Sequence, residues 1–115
     1  MSGLAEPAPP PRVSELFEDV QVPGITYHEM EVAKATPQSP LKASRFTIDP
    51  GSGTPEDQHA VHELWFIAQG TLDVHYDGVR HTVTGGDVLY FTPWKKHYSR
   101  NTGTERVMVF SVWWP

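Results

Sequence analysis

A chain of 115 residues with 38% hydrophobic and 11% aromatic residues is long enough for one ring-rich core and short for two. It carries 9 Lys and Arg against 14 Asp and Glu, a net charge of −5, and no basic run longer than Lys95-Lys96, which argues against a nucleic-acid partner. Zero cysteines exclude disulfides and thiolate ligands. With no secretory leader at the start and no apolar run of about 18 residues, the expectation is a cytoplasmic protein with no membrane partner.

Residues 1–12 hold four of the eleven prolines and read as an extended tail. Val13 to Val20 places apolar residues at 13, 16, 17 and 20, a helical spacing with Ser14 as cap, so a short helix or turn is expected there. Residues 1–24 are therefore set apart as a tail with a short helix or turn, and 25–115 as a single barrel domain. Ile25 to Val32 alternates weakly, like an edge strand, and Thr36 to Pro40 is a loop.

From Ala43 onward the pattern is β. Phe46 and Ile48 alternate with polar neighbours, Pro50 to Pro55 makes a long turn, and Leu64 to Ala68 reads as a buried strand. Leu72, Val74 and Tyr76 lead into Asp77-Gly78, and Val79, His81 and Val83 follow it, which predicts a hairpin with a type I′ turn. Val88 to Phe91 and Arg106 to Trp114 complete the set. Short strands at this spacing predict an all-β sandwich or barrel.

The chemistry concentrates between Gly51 and Gly70, where His59, His62 and Glu63 stand against the apolar run that opens at Leu64. Imidazole and carboxylate beside a dry core suggest a metal site. On an extended strand Asp57, His59, Glu63 and Trp65 share one face and His62 the other, unless a bulge near Ala60-Val61 turns His62 inward. A further ligand must come from elsewhere, and His97 is the candidate.

These two stretches resemble the two motifs of the cupin superfamily. The first runs Gly, five residues, His-x-His, three or four residues, Glu, six residues, Gly; Gly51, Gln58, His59, Glu63 and Gly70 fall on it, with Asp57 where the first His would be. The second runs Gly, five residues, Pro-x-Gly, two residues, His, three residues, Asn; Gly86, His97 and Asn101 keep their places, Pro93 sits one position late and Trp94 replaces the Gly. The resemblance covers roughly residues 43–114, with 15 residues between the motifs. It implies an all-β cupin double-stranded β-helix, a jelly-roll-like barrel with a short N-terminal extension. The implied ligands of one divalent metal (Fe, Mn, Ni or Zn) are His59, Glu63 and His97, with Asp57 or His62 completing the set.

The expected function is a small cupin metalloenzyme acting on a small organic molecule, by oxidative (dioxygenase), lyase or isomerase chemistry, with His62 or Tyr98 moving a proton. The alternative is a non-catalytic ligand-binding or sensor cupin. Arg45, Gln58 and Tyr98 are candidates to orient a substrate, Lys95-Lys96 is a mouth loop able to steer an acidic ligand, and a homodimer is expected from open sheet edges. His81 is read as a core histidine, and Trp65, Phe66, Tyr90, Phe91, Trp94, Tyr98, Trp113 and Trp114 as mostly core.

Overall fold

Alternation of apolar and polar residues, broken by glycine and proline, sets out the strands seen in the computed structural model, which describes residues 12, 13, 15–18 and 23–115. In chain order these are β1 (Glu15–Glu18), β2 (Ile25–Met30), a single helical turn α1 (Val32–Ala35), β3 (Lys42–Ile48), β4 (His62–Gln69), β5 (Thr71–Tyr76), β6 (Val79–Thr84), β7 (Val88–Phe91), β8 (His97–Arg100) and β9 (Val107–Trp114). A six-stranded sheet in the order β1-β2-β3-β9-β4-β7 faces a three-stranded sheet in the order β6-β5-β8. Every pairing is antiparallel, and together the sheets form a jelly-roll-like barrel.

The period of two fixes which side chains fill the space between the sheets. Phe46 and Ile48 from β3, Trp65 and Ile67 from β4, Leu72 and Val74 from β5, and Val107 and Val109 from β9 meet there, joined by Ile25, Val83 and Phe91. The expected hairpin forms between β5 and β6, with Asp77 at φ 49° and Gly78 at φ 83°, the left-handed pair a type I′ turn requires.

Several expectations are corrected. Residues 15–18 form a strand on β2, with Glu18 opposite His28, where a helix or turn was expected. So short a segment cannot repay helix nucleation, whereas the free side of β2 satisfies its backbone groups. The expected cap Ser14, the end of that segment at 19–20 and nearly all of the 1–12 tail lie outside the described residues. Strand β2 is accordingly no edge, because β1 and β3 flank it. Strand β4 is half-buried: Trp65 and Ile67 face the core while Phe66 and Ala68 are exposed, since only one side of this sheet is covered. On β6 only Val83 is buried, so His81 is an exposed residue and not a core histidine. Of the rings expected in the core, Trp65 and Phe91 are buried, but Tyr90 and Trp94 are exposed.

One polar residue holds the lower end of the barrel together. Asn101, fully buried, donates from Nδ2 to the carbonyls of Ile48 (2.9 Å) and Glu105 (2.8 Å) and accepts at Oδ1 from the Gly103 N–H (3.0 Å). Its own backbone pairs with Gly51 and Ser52 at 2.8 Å each. Gly53 lets this loop approach β8 closely, since a Cβ there would stand 2.0 Å from the Ser99 carbonyl oxygen.

Candidate metal centre

At the other end, two irregular segments are tied to each other and bring the two motifs together. Asp57 and His97 exchange backbone hydrogen bonds of 2.9 and 3.0 Å. The Trp94 N–H donates to the His59 carbonyl (2.8 Å), and the Gln58 side chain donates to the Trp94 carbonyl (2.7 Å). These bonds set the His59 and His97 rings edge to face with centroids 5.1 Å apart. Phe91 stacks flat on His97 at 4.3 Å, so that imidazole is held in a fixed plane in the dry interior.

Glu63 enters from β4 by strand parity and completes the cluster. Its Oε1 lies 3.0 Å from His59 Nε2 and 3.5 Å from His97 Nε2. Asp57 Oδ2 lies 4.0 Å from His59 Nε2, and Asp57, His59 and His97 each offer a ligand atom within 4.8 Å of the others. The far side of each ring is committed elsewhere: His59 Nδ1 sits 3.2 Å from the Val61 carbonyl oxygen and His97 Nδ1 sits 3.3 Å from that of Lys95. A carbonyl oxygen only accepts, so both Nδ1 atoms carry hydrogen and the neutral rings turn Nε2 lone pairs toward Glu63 and Asp57. The two Nε2 atoms thus face carboxylate oxygens of Glu63 and Asp57 with no donor among them. Only a cation, proton or metal ion, makes that arrangement stable.

In the protein alone a proton does this work. Burial pushes the Glu63 carboxyl up, but hydrogen bonds from His97 and Ser111, the nearby Trp65 N–H dipole and the charge of His97 outweigh it, leaving the group below its ordinary value. Burial likewise pulls His97 down, and its bonds to Glu63 and the Lys95 carbonyl, with the charges of Glu63 and Asp57, more than reverse that. Both directions favour the charged forms of the pair, Glu63 as carboxylate and His97 as imidazolium. Ser111 Oγ donates to Glu63 Oε2 at 2.5 Å and so turns Oε1 toward the two rings. The Trp65 Nε1–H has no hydrogen-bond partner of good geometry, yet its dipole adds to the same stabilisation. Two nitrogens and two carboxylates at these separations fit a divalent first-row ion, and the donor set suits Fe, Mn, Ni or Zn.

The cluster forms the floor of a cavity of about 670 Å³, walled by Ile25, Tyr27, Phe46, Val61, Trp65 and Trp113. Of the expected site residues, the structure brings Asp57, His59, Glu63 and His97 together. It does not bring His62 or Tyr98. Ala60 and Val61 form a bend ahead of β4, which pairs regularly from His62 with its one irregularity between Ile67 and Gln69, and the bend does not turn His62 inward. The His62 ring lies on the outer face between Tyr90 and Trp114, its Nδ1 2.6 Å from the Tyr90 hydroxyl. Tyr98 stacks on His75 at 4.2 Å, also away from the cavity. Gln58 and Arg45 do not line the cavity either, and Lys95 is paired with Asp77 at 3.3 Å.

Ser111, which orients Glu63, and Ser44 and Tyr27 in the walls were not singled out in the sequence, and Phe46 and Trp113 were read as strand and core residues. Parity along β9 contains the signal, because Val107, Val109, Ser111 and Trp113 fall on one face, and register sets Ser111 between Ser44 and Trp65.

A family profile described as a cupin domain matches residues 44–113. Among solved structures, the chain is similar to a predicted oxalate decarboxylase from Thermotoga maritima, with 19% identity over 90% of this chain and 92% of that one and a TM-score of 0.74. It is similar to KdgF from Halomonas sp., with 19% identity, 86% of each chain and a TM-score of 0.72. A Cupin 2 conserved barrel domain protein from Salinispora arenicola shares 26% identity over 79% of this chain and 76% of that one, with a TM-score of 0.71.

Proposed function

The chain belongs to the cupin family, and from that premise we propose that it is a small metal-dependent enzyme in which His59, Glu63, His97 and Asp57 hold one divalent ion and act on a small organic molecule. One observation carries this reading: ligand atoms of Asp57, His59 and His97 lie within 4.8 Å of one another in the cavity lining, Glu63 Oε1 lies 3.0 and 3.5 Å from Nε2 of the two histidines, and both Nδ1 atoms face carbonyls, which directs each Nε2 toward the carboxylates. A divalent ion held there supplies Lewis acidity and, if redox-active, a centre for oxidative chemistry.

The chain's own residues do the rest. The Val61 and Lys95 carbonyls fix the tautomer and plane of each ring, and Ser111 fixes the carboxylate. Phe91 and Trp65 keep water from the buried side of His97. Asp57, 62% exposed at its side chain, lies on the solvent side, so the coordination shell stays accessible from the cavity. Oxidative, lyase and isomerase chemistry all fit such a site.

Elemental analysis of protein purified without chelator or metal-affinity tag tests the reading. Near-stoichiometric metal in the wild type and little in His59→Ala and His97→Ala, with unchanged far-UV circular dichroism, is the expected result; equal content in all three would remove the site. Ligand binding without turnover is the second reading, and it is favoured by the absence of His62 and Tyr98 from the cavity walls. As part of the same proposal the protein is a homodimer. Light scattering that gives a monomer mass at micromolar concentration would rule that out.

A further inference from the structure

The charges around the cavity are one-sided. Glu56, Asp57 and Glu63 line it, and among the described residues no Lys or Arg does. Lys95, beside the turn that carries His97, is paired with Asp77 at 3.3 Å. Asp57 and Glu63 formally neutralise a divalent ion, and Glu56 adds a further negative charge to the lining, with no Lys or Arg among the described lining residues to offset it. Recognition of carboxylates normally relies on a guanidinium or ammonium group in the pocket. Apart from the hydroxyls of Ser44 and Thr54, the remaining walls are rings and aliphatic side chains, among them Tyr27, Phe46, Trp65 and Trp113. Such walls favour a planar or apolar body, and the volume suits a molecule of drug-like size or smaller.

We propose that this cavity selects an uncharged small molecule with a planar or apolar body and one polar end, and discriminates against carboxylates, with Glu56 as the residue that sets the discrimination. The substrate class so assigned rests on the metal-site reading above. Glu56 acts by its field at the rim, so its contribution is screened by salt.

Benzamide and benzoate, close in shape and different in charge, are suitable probes for metal-loaded protein. Trp65 and Trp113 in the walls give a fluorescence readout, with calorimetry as a second measure. Benzamide is expected to bind at least about tenfold more tightly at low ionic strength, with the ratio shrinking as salt is added. Glu56→Gln narrows the ratio and Glu56→Lys moves it toward benzoate. Benzoate binding as tightly as benzamide to the wild type, a ratio unchanged in Glu56→Lys, or neither probe binding at millimolar concentration would each overturn the proposal. Elemental analysis of the same samples separates the two ideas. If no metal is found the metal-site reading fails, and the benzamide-to-benzoate ratio on that metal-free protein still decides the charge preference.

Discussion

Two buried polar clusters stand at opposite ends of β8, and they are built on contrary rules. Around Asn101 every hydrogen bond has a donor and an acceptor: both amide hydrogens are used, the amide oxygen is used, and the backbone on either side is paired. Around His97 the atoms that converge are all acceptors until a cation arrives. The closed cluster has nothing to offer a ligand and serves the fold. The open cluster destabilises the chain unless it is occupied, which is the mark of a site.

The contrast predicts that the two clusters fail differently. Asn101→Ala removes three hydrogen bonds and strands two carbonyls and an N–H in the interior, so it is expected to cost on the order of 2–4 kcal/mol, about thirtyfold or more in the folding equilibrium. Chemical denaturation measures it. His97→Ala is expected to lower metal affinity about 100-fold while the far-UV spectrum and the denaturation midpoint of the metal-free protein change little. A midpoint that falls as far in His97→Ala as in Asn101→Ala would mean that both clusters are structural.

Within the open cluster the same logic ranks the neighbours. Asp57→Ala should weaken metal binding by about tenfold, because its carboxylate is the most exposed of the ligands, and His62→Ala should leave metal affinity unchanged because that ring faces outward. Ser111→Ala acts through Glu63, freeing Oε2 to turn, and is also expected to cost about tenfold in metal affinity. Ser111→Thr, which keeps the hydroxyl, should restore most of it. A tenfold loss in His62→Ala, measured by competition with a chelating dye, would show that the strand parity has been misjudged.

Much of this was legible in the chain. The spacing of Gly51, His59, Glu63, His97 and Asn101 pointed to the barrel and to residues that meet in its cavity, and the Asp77-Gly78 turn gave the register of β5 on β6. The period of two separated His62 from Glu63 correctly, but periodicity ends where regular backbone ends. The choice between Asp57 and His62 depended on how residues 54–61 dock on the turn at 92–97, a long-range matter of backbone bonds such as that between Asp57 and His97. For the same reason the cavity walls could not be read, because Tyr27, Phe46 and Trp113 meet only when β2, β3 and β9 are paired. The misread helix over 13–20 was a four-residue coincidence of apolar spacing, overridden by the free side of β2.

The smallest effect belongs to Trp94, which stands where similar cupins usually have Gly. Its φ of 68° lies in the left-handed region, where a side chain costs about 1–2 kcal/mol, and Gly in its place would give back about 1 kcal/mol through the freedom of the unfolded chain. Since the ring is 62% exposed, little burial is lost on removing it. The bonds that make this turn matter to the site, Trp94 N–H to His59 and Gln58 to the Trp94 carbonyl, are made by the backbone of residue 94 and survive the change. Trp94→Gly is therefore expected to be neutral or stabilising by at most about 1 kcal/mol, with metal content unaltered. A loss of more than about 2 kcal/mol in denaturation would mean that the exposed ring is covered by something in solution, and that the open end of the barrel is less open than its geometry suggests.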